Sequence, residues 1–220
     1  MSLKNKCEPM QLNNNSSFDD LITYNKLGLC GKELESKMRE LTKLRAIELK
    51  RDIAFWDFKD FSYAQYKQIH CYIFQDIFEW AGKDRYELGF SGKLSKYIIQ
   101  FCRGDELESY ADSIFSASSK ITQTYLNNLH SGAEYSINIS RKLYSKKLAN
   151  LWSKLNFLHP FREGNGRTSR IFLEMFAKSL NINFDIDSID RRKQVIALNR
   201  AMRGILQNLE ELVFINIKQN

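Results

Sequence analysis

Proline is almost absent from this chain of 220 residues, which contains only Pro9 and Pro160. Proline interrupts a helix because it lacks an amide hydrogen and clashes with the preceding turn. The ten glycines are also few for this length. Apolar residues recur at helical spacing between these interruptions, as Leu34 and Met38 do within the segment 33–51. The sequence therefore predicts an all-α fold.

The rest of the chain repeats this helical pattern. It predicts further helices over residues 63–80, 105–129, 141–158, 168–180, 191–202 and 206–217. Lys83–Lys93 interrupts the pattern with two glycines and a short β-tolerant stretch, which predicts a small hairpin or irregular flap. Residues 1–17 are polar and predict a flexible lead-in. Because no repeat or linker divides the remainder, we expect a single domain over residues 18–220.

Charge and composition narrow the classes of function. The formal net charge is +7, but no run of five or more basic residues occurs, so a phosphate-bearing cofactor or an acidic partner fits better than direct nucleic-acid binding. No apolar stretch approaches 18 residues, and the N-terminus lacks an apolar signal core. The four cysteines have no metal-site spacing and are typical of reduced thiols. We therefore expect a cytoplasmic protein that does not enter a membrane.

One loop between two predicted helices concentrates chemical groups, and its residues 159–170 read HPFREGNGRTSR. Two glycines flank Asn165, so the backbone can turn sharply and approach a ligand closely. A helix follows at once, and its first amide groups have no partners within the helix. Taken singly, these features are typical of an ordinary turn. Their combination predicts a site for phosphate groups.

Charged side chains extend this prediction. Arg167 and Arg170 are three residues apart and lie on one helix face, which suits a polyphosphate. Glu163 supplies the hard oxygen ligand that Mg²⁺ bound to phosphates requires. His159 is the one side chain of the loop whose unperturbed pKa suits a general base near neutral pH.

The loop resembles the signature of the Fic family, H-x-F-x-D/E-G-N-G-R-x-x-R, at every fixed position. Weaker similarity to the stand-alone toxin branch of that family extends over residues 24–28 and 69–83, and in all over about residues 20–215. The resemblance implies a helical bundle with one β-hairpin flap. It also implies an adenylyltransferase that moves AMP from ATP onto a Tyr, Ser or Thr hydroxyl of a target protein.

The resemblance also implies a role for each residue of the motif. His159 resembles the base that deprotonates the target hydroxyl, Phe161 the core anchor of the loop, and Glu163 the Mg²⁺ ligand. The phosphate-binding residues would be Gly164, Asn165 and Gly166 as the anion hole, Arg167 as a clamp, and Arg170 as the γ-phosphate contact. The target-docking flap, which would hold the target by main-chain pairing, would comprise Arg85, Tyr86, Glu87, Leu88, Gly89 and Phe90.

Regulation is a further expectation from the family. Many members carry an inhibitory S/T-x-x-x-E-G/N helix whose glutamate pairs with the second arginine of the motif. Here the only S/T-x-x-x-E match runs from Ser36 to Glu40 and is followed by Leu41. The resemblance therefore implies a separate small helical antitoxin that supplies the glutamate to Arg170.

Several alternatives remain at this point. A kinase-like relative would alter the Gly-Asn-Gly turn, which is intact here. Transfer of UMP or phosphocholine stays open, because the loop does not read the base. A non-catalytic adaptor is disfavoured because His159 and Glu163 are retained. Type II topoisomerase subunits, such as those of DNA gyrase, are the first candidate targets suggested by the toxin branch.

Overall fold

The computed structural model describes residues 18–51, 61–96, 98–130 and 137–218. The predicted lead-in, residues 1–17, lies outside the described residues. Within them, no helix combines the length and the hydropathy needed to cross a bilayer.

The described residues are mainly helical. The helices are α1 (Gly31–Arg51), α2 (Tyr63–Phe74), α3 (Leu107–His130), α4 (Ile137–Leu158), α5 (Asn165–Ser179), α6 (Arg191–Ala201) and α7 (Gln207–Asn216). Two small antiparallel sheets accompany them, β1 (Lys93–Lys96) with β2 (Ile99–Arg103), and β3 (Asn183–Phe184) with β4 (Ile217–Lys218). This architecture confirms the predicted all-α fold with a small β-hairpin.

Helices α4 and α5 join directly through the motif loop and hold it in the core. Helix α4 packs against α3, α6 and α7, and α5 packs against α2. Phe161, from the loop itself, is fully buried and stacks on Tyr66 of α2 at a ring-centroid distance of 5.7 Å. Phe172 of α5 meets Tyr66 edge-on at 5.4 Å. Burial of each such ring stabilises the fold by about 1.5–3 kcal/mol, which anchors the loop as expected for Phe161.

Helix α2 ends earlier than predicted, at Phe74 rather than at residue 80. It begins with a capping box in which the Ser62 hydroxyl accepts the Gln65 backbone amide and the Gln65 side-chain oxygen accepts the Ser62 backbone amide. After Phe74 the chain forms turns, yet Trp80 remains buried and its indole donates to the Leu21 carbonyl at 3.0 Å. The apolar pattern continues beyond the helix because these turns bury their aromatic residues too.

Of the two structures predicted for Lys83–Lys93, the small hairpin is wrong, because the segment is irregular until β1 begins at Lys93. Residues 85–89 form consecutive turns, stabilised where the Asp84 carboxylate accepts the amides of Tyr86 and Glu87 at 3.0 Å each. The hairpin follows later, as β1 and β2. Aromatic and apolar residues around Tyr86 favoured a strand, but the Asp84 side chain captures the local amides and leaves them unable to pair with another strand.

Candidate active site

The motif loop occupies residues 159–164, between the end of α4 and the start of α5. Gly164 has φ 86°, a left-handed conformation that glycine adopts without steric cost. Asn165 is 7% exposed and its side chain closes the loop, accepting from the Phe161 amide at 2.9 Å and donating to the Phe161 carbonyl at 2.7 Å. The Asn165 side chain thus shapes the turn, and only its backbone amide is left for the predicted anion hole.

Helix α5 begins at Asn165, three residues before the predicted start at Thr168. The amides of Arg167 and Thr168 both donate to the Gly164 carbonyl at 3.0 Å. The amides of Asn165 and Gly166 precede them, where no carbonyl one turn earlier belongs to the helix. The structure therefore places the glycine turn and the positive end of the α5 dipole together, as an anion site requires.

His70 of α2 contacts this loop at Phe161 and Glu163, although no role for it was predicted from the sequence. Its Nδ1 accepts the Gly82 amide at 2.9 Å, so Nε2 carries the proton and donates to the Glu163 carbonyl at 3.1 Å. The ring stacks on Phe161 at 3.8 Å. Burial lowers the pKa of His70 to about 3, so the ring is neutral. In the sequence, His70 was marked only by its position on the apolar face of α2 and within the segment 69–83 that resembles the family.

His159 is oriented as a proton acceptor. Its Nδ1 lies 3.3 Å from the Asn156 carbonyl, which can only accept, so Nδ1 bears the hydrogen and Nε2 keeps its lone pair. The ring stacks on Phe101 of β2 at 3.9 Å. Burial lowers the pKa of His159 to about 4, so the imidazole is neutral at pH 7. The backbone is held at φ 41°, an uncommon conformation for a residue other than glycine.

Arg85 joins the hairpin to His159, which corrects its assignment to target docking. The residue is 0% exposed and cannot reach a target protein. Its Nε donates to the His159 carbonyl at 3.1 Å, and its Nη1 donates to the Gly92 carbonyl at 3.3 Å. Its Nη2 donates to the Cys102 carbonyl. Arg85 therefore fixes the hairpin against the motif loop and stabilises the strained backbone of His159.

The remaining residues of the predicted flap lie beside Arg85 in the turns. Tyr86 is exposed, and the Phe90 ring lies 5.8 Å from the Arg85 guanidinium carbon. The Glu87 carboxylate binds Lys67 at 2.6 Å, while Leu88 packs against the core. Gly89 adopts φ 84°. These contacts make the segment a fixed part of the domain.

The two arginines of the motif differ in their surroundings. Burial lowers the pKa of Arg167, and its Nη1 is buried with no hydrogen-bond partner among the described residues. Such an orphaned cationic group is costly unless a ligand accepts its hydrogens. Arg170 already has partners, since its Nη2 donates to the Asp187 carboxylate at 2.8 Å and its Nη1 donates to the side-chain oxygen of Gln194 at 2.9 Å.

Glu163 could bind a cation such as Mg²⁺ only if other oxygen ligands, such as those of phosphate groups, completed the site. Across the described ranges, no three His, Cys, Asp or Glu side chains come together as a metal site. Glu163 is half-buried, and its carboxylate lies close enough to Arg167 to offset part of the lowering of that guanidinium's pKa by burial. One carboxylate beside an anion site fits Mg²⁺, which commonly binds one or two carboxylates plus phosphate oxygens.

Known proteins with similar sequences point to the same kind of site. A family model described as Fic/DOC matches residues 60–177. The chain is 28% identical over 150 residues to the probable protein adenylyltransferase y4lH of Sinorhizobium fredii, covering 68% of this chain and 70% of that protein. It is 29% identical over 199 residues to the protein adenylyltransferase VbhT of Bartonella schoenbuchensis, covering 90% of this chain and 37% of VbhT. The chain therefore spans little more than a third of VbhT.

Solved structures share the fold. The N-terminal Fic domain of a Bep effector protein from Bartonella sp. AR 15-3 superposes with a TM-score of 0.73 at 25% identity, covering 88% of this chain and 85% of that one. BepC of Bartonella tribocorum, solved with bound AMPPNP, has a TM-score of 0.69 at 20% identity, covering 89% and 92%. The matched family model covers more than half of this chain and includes the whole motif loop, α2 and most of α5. This chain belongs to the Fic/DOC family.

Proposed function

We propose that this protein is an adenylyltransferase that moves AMP from ATP onto a Tyr, Ser or Thr hydroxyl of a target protein. One observation carries the proposal: a neutral histidine with a free Nε2 lies on the same loop as the anion site at the start of α5. Relatives that are named protein adenylyltransferases support this activity. Structural neighbours with bound ADP and AMPPNP support nucleotide binding.

The reaction follows from these groups. Nε2 of His159 accepts the proton of the target hydroxyl, whose oxygen attacks the α-phosphorus in line. The bond from the α-phosphorus to the bridging oxygen breaks, and pyrophosphate leaves with the electron pair. The α5 amides and Arg167 stabilise the phosphate charge that develops, so positioning and electrostatics supply most of the rate enhancement.

Glu163 would hold Mg²⁺ in this enzyme, since it is the only carboxylate of the motif loop. The bound ion would neutralise charge on the triphosphate. His70 would orient the loop that carries Glu163, because it donates a hydrogen bond to the Glu163 carbonyl.

Target docking would use the hairpin of β1 and β2. Strand β1 is mostly exposed, and in the described residues it pairs only with β2, so its outer edge could accept an extended target segment. Phe101 on β2 contacts His159 directly, which would bring a hydroxyl held along the hairpin towards Nε2.

The test is transfer of radiolabel to protein. With Mg²⁺ and a bacterial lysate, ATP labelled at the α-phosphate should label a discrete protein band, whereas ATP labelled at the γ-phosphate should not. EDTA should remove the labelling. Transfer from γ-labelled ATP would indicate a kinase, and labelling from UTP or CDP-choline instead of ATP would indicate another transferred group. Identification of the labelled band tests the candidate type II topoisomerase subunits.

Control by a small helical antitoxin is a further part of the proposal. Asp187 pairs with Arg170 in this structure. This pair supports the idea that a carboxylate can bind the guanidinium assigned to the γ-phosphate. The internal candidate, Glu40, is exposed on α1 and pairs with Lys37 at 2.8 Å. A glutamate from a second chain would therefore be required at Arg170 for the inhibition that the resemblance implies.

We expect expression of this chain alone in the bacterial cytoplasm to inhibit growth. Co-expression of a small helical protein encoded beside it should restore growth, because its glutamate would compete with the γ-phosphate at Arg170. Growth curves measure the inhibition in strains that express the wild type or His159→Ala, each with and without the neighbouring protein. If the isolated chain is harmless and Glu40→Ala makes it toxic, the inhibitor lies within this chain and the proposal of a separate antitoxin is wrong.

A further inference from the structure

We infer that Arg191, the first residue of α6, is a third phosphate-binding arginine that contacts the β- and γ-phosphates of the nucleotide. This inference rests on the proposed function and deepens it. The sequence motif supplies only Arg167 and Arg170, and Arg191 lies 21 residues beyond the second of them. Three observations at the contact between α5 and α6 support its role.

The first observation is the approach of Arg191 to the start of α5. A Cβ atom placed on Gly166 would lie 3.1 Å from Nη2 and 3.6 Å from Nη1 of Arg191. Gly166 is not among the residues with positive φ, so its backbone does not require glycine. The absence of a side chain instead leaves room for the Arg191 guanidinium next to the amides of the anion site. Arg191 therefore reaches the point where a bound phosphate would lie.

The second observation is a bridge that aligns Arg191 with the γ-phosphate arginine. Gln194, on the next turn of α6, is 1% exposed. Its side-chain carbonyl accepts from Arg170 Nη1 at 2.9 Å and from Arg191 Nη1 at 3.2 Å. The neutral amide orients both guanidinium groups without adding a negative charge, although Arg170 also binds the Asp187 carboxylate at 2.8 Å. This link associates Arg191 with the outer phosphates rather than with the α-phosphate.

The third observation is an excess of positive charge. Partial burial lowers the pKa of Arg191 most, and its proximity to Arg170 and Arg167 lowers it further. The three guanidinium groups therefore repel one another, and the carboxylates of Glu163 and Asp187 offset this repulsion only in part. The buried Nη1 of Arg167 has no hydrogen-bond partner among the described residues. Arg191 remains open to solvent, so a ligand can reach it. A polyanion would relieve this repulsion, as a triphosphate does.

Nucleotide affinity tests the inference, measured by titration calorimetry with ATP, ADP and AMP in the presence of Mg²⁺. Arg191→Ala should weaken ATP binding roughly tenfold or more, the usual effect of losing a charge-assisted hydrogen bond to phosphate. The AMP affinity should stay within about twofold of the wild type, because AMP lacks the outer phosphates. The matched control is Arg192→Ala, which removes an exposed arginine from the same turn of α6 and should leave both affinities unchanged.

The outcomes separate this inference from the proposed function. If the wild type binds ATP and Arg191→Ala binds it equally well, the inference is wrong and the proposed function stands. Equal losses of ATP and AMP affinity would also overturn it, because the contact would then lie at the α-phosphate or the nucleoside. If the wild type binds no nucleotide at all, both fail. Gln194→Leu, which removes the bridge but neither charge, should weaken ATP binding by less than Arg191→Ala.

Discussion

Replacement of His159 by asparagine is expected to reduce labelling of the target protein by roughly 10²- to 10⁴-fold, the usual contribution of a positioned general base. The physical reason is the orientation of the ring, whose Nδ1 donates to the Asn156 carbonyl and leaves Nε2 as the acceptor. Initial rates of transfer from α-labelled ATP measure the effect. ATP affinity should change little, because the anion site lies at the start of α5.

Asparagine is the better substitution here because the backbone of His159 lies at φ 41°. Asparagine tolerates this left-handed region, whereas alanine adds strain of about 1–2 kcal/mol that could distort the loop. His159→Ala then serves as the comparison, and agreement between the two variants would exclude a backbone effect. Near-normal labelling by His159→Asn would show that another group accepts the proton.

The pH dependence provides a second check on His159. A pKa lowered to about 4 means that the ring is neutral, and able to accept a proton, at every pH above that value. Protonation of His159 in the free enzyme should therefore not limit labelling between pH 5 and pH 8, and the loss should appear only as the pH falls towards 4.

Replacement of Gly164 by alanine is expected to abolish labelling and to lower the melting temperature. A Cβ at this position would lie 2.2 Å from Cε2 and 2.3 Å from Cζ of Phe74, inside the packed core. Overpacking of this kind costs about 1–3 kcal/mol, and the left-handed backbone at φ 86° adds about 1–2 kcal/mol. The loop must move to relieve both, which displaces the α5 amides. Thermal unfolding and transfer assays measure the two effects.

Gly89→Ala is the matched control for Gly164→Ala. Gly89 has φ 84°, nearly the same backbone conformation, but nothing lies within 4 Å of the Cβ that alanine would add. Its melting temperature therefore reports the backbone strain alone, and the difference between the two variants reports the clash with Phe74. Equal melting temperatures, with labelling retained in Gly164→Ala, would contradict the close packing of the loop on α2.

The motif loop was predictable because its chemistry is local. Gly164 and Gly166 flank Asn165 in the sequence itself, and a helix start must follow them, so an anion site is implied wherever the segment lies. The loop and the helical periodicity together indicated the fold and the family, both of which are confirmed. The predicted roles of the individual residues stay predictions that the variants above test, as does the extent of the domain over residues 18–220.

The hairpin could not be placed from sequence, because its pairing depends on contacts that are distant along the chain. Local propensity favoured a strand near Tyr86, yet the Asp84 carboxylate captures the amides there. Arg85 then holds the true hairpin in place through the carbonyls of Gly92, just before β1, and of Cys102 in β2, and also binds the His159 carbonyl. A buried arginine bound to carbonyls has no sequence pattern that separates it from an exposed one.

The sequence alone thus determined the helical class, the family and the groups of the motif loop, because periodicity and a contiguous motif are properties of neighbouring residues. Only the tertiary structure decided which distant residues complete the site. His70 from α2 reaches the Glu163 carbonyl, and Arg191 from α6 reaches Gly166. These contacts arise because α2 packs on α5 while α6 packs on α4 and α7, and packing is set by the whole core rather than by any local spacing.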